Sequence, residues 1–215
     1  MLDTSRLIDI ENLGNLYNFY RPGDGLVAGR EVNELLMLPL DGFRYGYGVS
    51  LDSETHVALR QVILTPQRTP IERYEFVDID FLPEAEKNES KSAELCQENS
   101  VDQQDSRWTA LRLPEGFHTI RSSHDSESQE DELLISDGIA TISVTLEPVD
   151  SPLFPPINTQ LGATSILLVY LGSQNNLYMV TLVGETPLQS LEYIASGLNL
   201  SAETSSEAEE GSLIQ

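Results

Sequence analysis

A single cysteine, Cys96, among 215 residues excludes an intramolecular disulfide and any zinc site built on cysteine pairs. Basic side chains are scarce. Only 12 Lys plus Arg stand against 35 Asp plus Glu, and the formal net charge of −23 repels nucleic-acid phosphates and anionic membrane surfaces. The longest apolar run, Ile166 to Leu171, is strand-sized, so no membrane span is expected. The first residues lack the basic, apolar and small-residue order of a signal peptide, and the chain as written reads as soluble and unexported. A P-loop, a G-x-G-x-x-G fingerprint and a His-Glu zinc motif are all missing. His56, His118 and His124 fall in a turn, a strand and a polar loop, with no nucleophile-base-acid pattern around them. Asp78 and Asp80 alternate along a strand, which alone defines neither a metal site nor a glycosidase pair. No catalytic residue, metal ligand or cofactor is therefore expected, and the chain does not read as an enzyme.

What is present is strand-like sequence in two blocks. From Glu31 to Ile79 four strands are expected, at Glu31 to Leu38, Phe43 to Leu51, Ala58 to Thr65 and Ile71 to Ile79, separated by Asp41-Gly42, by Asp52-Ser53-Glu54 and by Pro66 with Pro70. In the second of these, Phe43, Tyr45, Tyr47, Val49 and Leu51 share one face while Arg44, Gly46, Gly48 and Ser50 share the other. The segment from Leu7 to Tyr20 is ambiguous.

Residues 84 to 106 have no aromatic side chain and carry seven acidic and two basic ones. Such a stretch cannot bury enough apolar area to offset about 1 to 2 kcal/mol per residue of backbone ordering entropy, and it reads as an acidic flexible linker. Cys96 lies within it, an incidental linker thiol. The second block opens at Trp108-Thr-Ala-Leu-Arg-Leu-Pro-Glu-Gly-Phe117, in which Pro114 and Gly116 bracket a turn between two aromatic anchors. Strands are expected at Phe117 to Ser122, Glu132 to Ser136, Ile139 to Glu147, Ala163 to Leu171 and Tyr178 to Val183. Thr186 as N-cap and Pro187 at the first helical position precede Leu188, Leu191, Ile194, Ala195 and Leu198 at helical spacing, so one amphipathic helix should lie on the sheet. The loop from Pro148 to Leu161, with four prolines, is long enough to reach a partner. The expected division is 1–83, the linker 84–106, 107–200, and a disordered acidic tail 201–215.

The W-T-A-L-R-L-P-E-G-F run, Ser136-Asp137-Gly138 leading into Ile139 to Leu146, and Val183-Gly-Glu-Thr-Pro187 before a final helix together resemble the C-terminal domain of the RseB/MucB family. Val27-Ala-Gly-Arg30, Phe43-Arg-Tyr-Gly-Tyr47, Ser50-Leu-Asp52 and Leu59-Arg-Gln-Val-Ile-Leu64 resemble the later part of that family's N-terminal domain, whose fold is similar to the lipoprotein carriers LolA and LolB. Two departures stand out. The chain begins partway into that first domain, so a half-barrel short of its first strands would expose open edges. At the turn after Asp52, Thr55-His56-Val57-Ala58 replaces the family's usual Thr-Gly-Leu-Pro.

The resemblance implies an α+β fold, mostly antiparallel: a partial LolA/LolB-like half-barrel, then a small antiparallel sheet with a C-terminal helix. It implies a periplasmic negative regulator of the sigma-E envelope-stress response. Such a protein binds the periplasmic segment of an RseA/MucA-type anti-sigma factor, shields it from site-1 proteolysis and senses lipopolysaccharide or lipoprotein acyl chains. Trp108, Phe117, Leu153 and Phe154 are the expected partner-binding residues. Phe43, Tyr45, Tyr47 and Val49 either pack in the sheet's own core or line a lipid cleft. A LolA/LolB-like lipid carrier and a fragment without activity are the alternatives, and the oligomeric state is open.

Overall fold

A computed structural model of the chain describes residues 10–81, 106–173 and 176–200. Cys96, the tail expected over 201–215 and all but the last residue of the linker expected over 84–106 lie outside the described residues. The first half is helix α1 (Ile10–Leu16) followed by β1 (Tyr17–Tyr20), β2 (Asp24–Val27), β3 (Arg30–Pro39), β4 (Gly46–Asp52), β5 (Ala58–Leu64) and β6 (Pro70–Glu75). These strands form one open antiparallel sheet in the order β1-β3-β4-β5-β6, with β2 pairing the other half of β3.

The second half has β7 (Trp108–Ala110), β8 (His118–His124), β9 (Asp131–Ser136), β10 (Thr141–Val149), β11 (Ile157–Leu161), β12 (Thr164–Ser173), β13 (Asn176–Gly184), α2 (Leu188–Ala195) and β14 (Leu198–Leu200). Its main sheet runs β11-β12-β13-β10-β9-β8, and β14 pairs with β7 as a separate ribbon. The fold is thus α+β, mostly antiparallel sheet with few helices, and no barrel is closed among the described residues. The alternation along β10 works as its pattern requires: Ile142, Val144 and Leu146 are buried while Thr141 and Ser143 are exposed. Opposite them α2 buries Leu191, Ile194 and Ala195, closing a core with Trp108, Phe117, Ile135, Val180 and Leu182.

Several expectations are corrected at element ends. Leu198 does not continue the helical stripe, because α2 stops at Ala195 and Ser196 with Gly197 makes the turn into β14; Leu198 reaches the same core as a strand residue. Pro187, at ψ 142°, occupies the N-cap, and Thr186 is buried with its carbonyl accepting from Ser165 Oγ, so the threonine side chain does not cap. The strand expected over Ile71 to Ile79 ends at Glu75; beyond it Ile79 folds onto Val27, Val32 and Leu59. Phe43 and Tyr45 precede β4 instead of lying in it. Asp41 Oδ1 accepts from the Phe43 N–H, so the backbone bends there before pairing begins at Gly46.

At the β4–β5 turn the carboxylate of Asp52 replaces the restraint that a proline would give. It accepts from the N–H groups of Glu54 and Thr55 and from the Thr55 hydroxyl, and it pairs with Arg30 at 2.5 Å. His56 sits at φ 60°, a left-handed conformation that favours glycine.

Candidate functional site: the joint and the pinned loop

The two sheets meet through the segment between β3 and β4. Arg44, expected within a strand on the face opposite the aromatic row, precedes β4 and is fully buried. Its Nε donates to Asp137 Oδ2 at 2.7 Å, and its terminal nitrogens donate to Asp41 and to the Glu115 carbonyl. The guanidinium also lies 4.7 Å from the centre of the Phe117 ring, a cation–π contact. A buried charge is tolerated only when paired and hydrogen-bonded, and here three of the four partners come from the second half of the chain. Asp137 is oriented for this: its other oxygen accepts from the N–H groups of Ile139 and Ala140 in the β9–β10 turn.

Around this ion pair lie smaller contacts. Ser190 Oγ of α2 donates to the Phe43 carbonyl, the Phe43 ring lies 5.0 Å from that of Tyr193, and Ala163 N donates to Glu72 Oε1 at 2.7 Å. The Ala163 N–H holds the Glu72 carboxyl below its ordinary range, with help from the Tyr74 hydroxyl. The turn predicted at Pro114–Phe117 is present, closed by Phe117 N to Pro114 O at 3.1 Å. Gly116 is required in it: φ is +79°, and a Cβ would sit 2.6 Å from Leu16 Cδ1.

The four cleft candidates divide. Tyr45 and Tyr47 are buried with Leu13, Leu16, Tyr17, Ile63 and Ala163, and Val49 packs beside them. Phe43 turns away toward α2. Burial pushes the phenols of Tyr17 and Tyr47 well above their ordinary range and raises that of Tyr45. The aromatic row is therefore split between the sheet's own packing and the joint. It is not one open surface.

The four partner-binding candidates also divide. Trp108 and Phe117 are core residues, Trp108 meeting Tyr178 edge-on at 5.1 Å, so the expectation that they face a partner is corrected: their rings close the second sheet. The start of β7 is fixed by buried Asp131, which accepts from Ser106 Oγ, from the Arg107 backbone and from the Arg107 guanidinium. Ser106, expected in the linker, thus belongs with the second sheet. Leu153 and Phe154, in contrast, are 60% and 57% exposed. They are held in place. Tyr170 Oη accepts from both of their N–H groups and donates to the Phe154 carbonyl. The Tyr170 hydroxyl is the functional group that the sequence did not disclose, since a lone tyrosine in an apolar strand gives no sign of a loop bonded to it.

Beside the loop, a groove of ≈ 450 Å³ runs between β11–β12 and α2, lined by Pro156, Ile157, Leu167, Val169, Leu171 and Ala195. Asn158 crosses its wall to Glu192 at 2.9 Å. His56 and His118 are exposed; His124 is buried with Nδ1 3.2 Å from Asp131. Asp78 and Asp80 are exposed in the coil after β6, and no group of three or more potential metal ligands occurs among the described residues. No described helix is long and apolar enough to cross a membrane.

Two antiparallel sheets are thus joined through a buried ion pair, and a pinned loop on the second presents exposed apolar side chains. The MucB/RseB N-terminal domain matches residues 3–94 and the MucB/RseB C-terminal domain matches residues 102–199. The chain belongs to the MucB/RseB family. It is 29% identical over 198 residues to the sigma factor AlgU regulatory protein MucB of Pseudomonas aeruginosa, covering 88% of this chain and 63% of that protein. To the sigma-E factor regulatory protein RseB of Haemophilus influenzae it is 27% identical, covering 86% and 60%. The chain thus spans about three fifths of the length of these curated relatives. Among solved structures, the Pseudomonas aeruginosa MucA/MucB complex matches with a TM-score of 0.74 at 30% identity, covering 90% of this chain and 68% of that one. A crystal structure of MucB in complex with MucA(peri) matches at 0.73 and 30%, covering 92% and 72%.

Proposed function

We propose that the chain acts by binding, in the periplasm, the periplasmic segment of an RseA/MucA-type anti-sigma factor. In doing so it shields that segment from site-1 proteolysis and restrains the sigma-E response. Family membership and the MucA-bound state of two solved relatives support the reading. Within this molecule one observation carries it: Leu153 and Phe154 are exposed, yet their backbone is fixed by Tyr170. Pre-organised apolar anchors bind more tightly than mobile ones because less ordering entropy is lost on association. Lipopolysaccharide or acyl chains would release the partner by favouring the state that does not hold it, since a ligand shifts an equilibrium only through differential affinity. The functional division follows the two blocks, 1–83 and 107–200, joined by 84–106.

Isothermal titration of the cognate anti-sigma segment into the 215-residue chain tests the proposal. Binding should be lost or weakened at least tenfold in a Leu153→Ser, Phe154→Ser double variant, because a few apolar anchors dominate most interfaces. No binding by the unaltered chain, together with tight binding of acylated peptides, would instead favour a lipid carrier of the LolA/LolB type.

A further inference from the structure

Among the described residues, the two six-stranded sheets end in edges that are protected, with one exception. At the β6 edge, Glu72, Arg73 and Glu75 supply charge, and the pairing with β5 is interrupted between Ile63 and Leu64. The β8 edge carries Arg121 and two histidines, and its register with β9 shifts between Thr119 and Arg121. The β1 and β2 edge consists of two four-residue strands interrupted at Arg21–Gly23. Short strands, charges and bulges are the means by which soluble proteins stop foreign strands from pairing with their edges.

Strand β11 has none of these. Its sequence, Ile157-Asn-Thr-Gln-Leu161, contains no charge and no proline, and it keeps an unbroken five-residue register with β12 from Ile157↔Leu168 to Leu161↔Thr164. All five residues are exposed, Leu161 at 80%, and among the described residues nothing pairs with the outer side of the strand. The pinned Leu153 and Phe154 lie just before it, separated by Pro155 and Pro156, and the groove beside α2 runs along it.

We propose that β11 is the docking edge for an extended segment of the partner, which adds to the second sheet as a seventh strand. The proposal rests on the anti-sigma reading and names the conformation and register surface of that partner. An open edge offers alternating N–H and C=O groups, which only another extended backbone can satisfy along the whole strand. Alternate side chains of the added strand then enter the groove or meet Leu153 and Phe154. The occupant is a different chain and not a second copy: two molecules of net charge −23 repel each other, whereas a basic segment is attracted and a neutral one is not repelled.

Hydrogen exchange of the full chain, with and without the cognate anti-sigma segment, reads this directly. Amides of 157–161 should slow at least tenfold on binding. Thr159→Lys, which places a charge on the open strand, should weaken binding at least tenfold while leaving the melting temperature unchanged. Thr119→Lys, the same change at the protected β8 edge, should alter affinity less than twofold. Binding with unchanged exchange at 157–161 overturns strand addition and leaves the anti-sigma reading standing. No binding by the unaltered chain removes both. Slowing of these amides with protein concentration, in the absence of the segment, makes a second copy the occupant and overturns the assignment to a partner.

Discussion

The two sheets are built from similar strand lengths but close their cores differently. The second sheet's core is assembled entirely from residues 108 to 200, with α2 and the β7–β14 ribbon as its cover. The first sheet's tyrosine cluster is completed by fully buried Ala163 and by Ile139, both supplied by the second half of the chain. The second sheet is therefore self-sufficient, whereas the first depends on its neighbour. The contact between them is organised around a charge, so the orientation of one sheet on the other depends on a small number of directional bonds.

The largest effect is expected where that dependence is concentrated. Arg44→Ala removes the cation that Asp137 and Asp41 share, leaves the Glu115 carbonyl without its donor and opens a void against Phe117. Losing one partner of a buried pair costs about 3 to 5 kcal/mol. The loss should appear in the first sheet. Hydrogen exchange in β3 to β5 should accelerate, while the fluorescence transition of Trp108, the chain's single tryptophan, should hold its midpoint. Equal loss in both sheets would show that the second is not self-sufficient.

Leu191→Ala tests the opposite direction. The side chain is fully buried between α2 and the second sheet, and its truncation should cost about 2 to 5 kcal/mol as lost transfer energy plus a cavity. Because the first sheet leans on the second, both should destabilise together. Gln189→Ala, on the exposed side of the same helix, should change stability by less than about 0.5 kcal/mol. Matching shifts for the two substitutions contradict the packing.

These two residues also show what could be read from the sequence. Leu191 was legible because helical periodicity and burial coincide, and the period-2 pattern of β10 was legible for the same reason. Arg44 was not. In a run of alternating residues a charged side chain reads as wet, and only long-range partners 71 and 93 positions away reverse that assignment. Strand β11 was hidden by the prolines that precede it and by its own uncharged polar residues, which read as loop until β12 pairs with them. The family itself was readable from motif order. The partition of Trp108, Phe117, Leu153 and Phe154 into two core residues and two exposed ones was not, because an aromatic near a turn has the same sequence signature in either role.

Acid should act on the first sheet and its contact before it acts on the central strands of the second. Arg30, through its hydrogen bonds, holds the Asp52 carboxyl well below the usual range, and the Ala163 N–H lowers that of Glu72. A carboxyl whose folded pKa is depressed contributes stability above its unfolded value, about 4, and that contribution is lost as pH falls toward the folded value. Exchange in β3 to β6 should therefore quicken below about pH 4. In Glu72→Gln, the part of that acid sensitivity that comes from the joint should be absent. An unchanged pH profile in this variant would remove Glu72 from the contact.

The smallest stability change belongs to the exposed side chains of the pinned loop. Leu153→Ser and Phe154→Ser remove side chains that are mostly in water, while the bonds from Tyr170 run to their backbone and survive the substitution. Each should shift stability by less than about 0.5 kcal/mol, as surface changes usually do. Tyr170→Phe is the informative companion. It keeps the ring and deletes the hydroxyl, so the loop loses its pin while Leu153 and Phe154 remain. If rigidity of the loop matters, Tyr170→Phe should weaken binding of the anti-sigma segment although no residue in contact with the partner has changed, mainly through slower association or an added entropic cost in calorimetry. Binding indistinguishable from that of the unaltered chain would mean that the two apolar side chains suffice without being held.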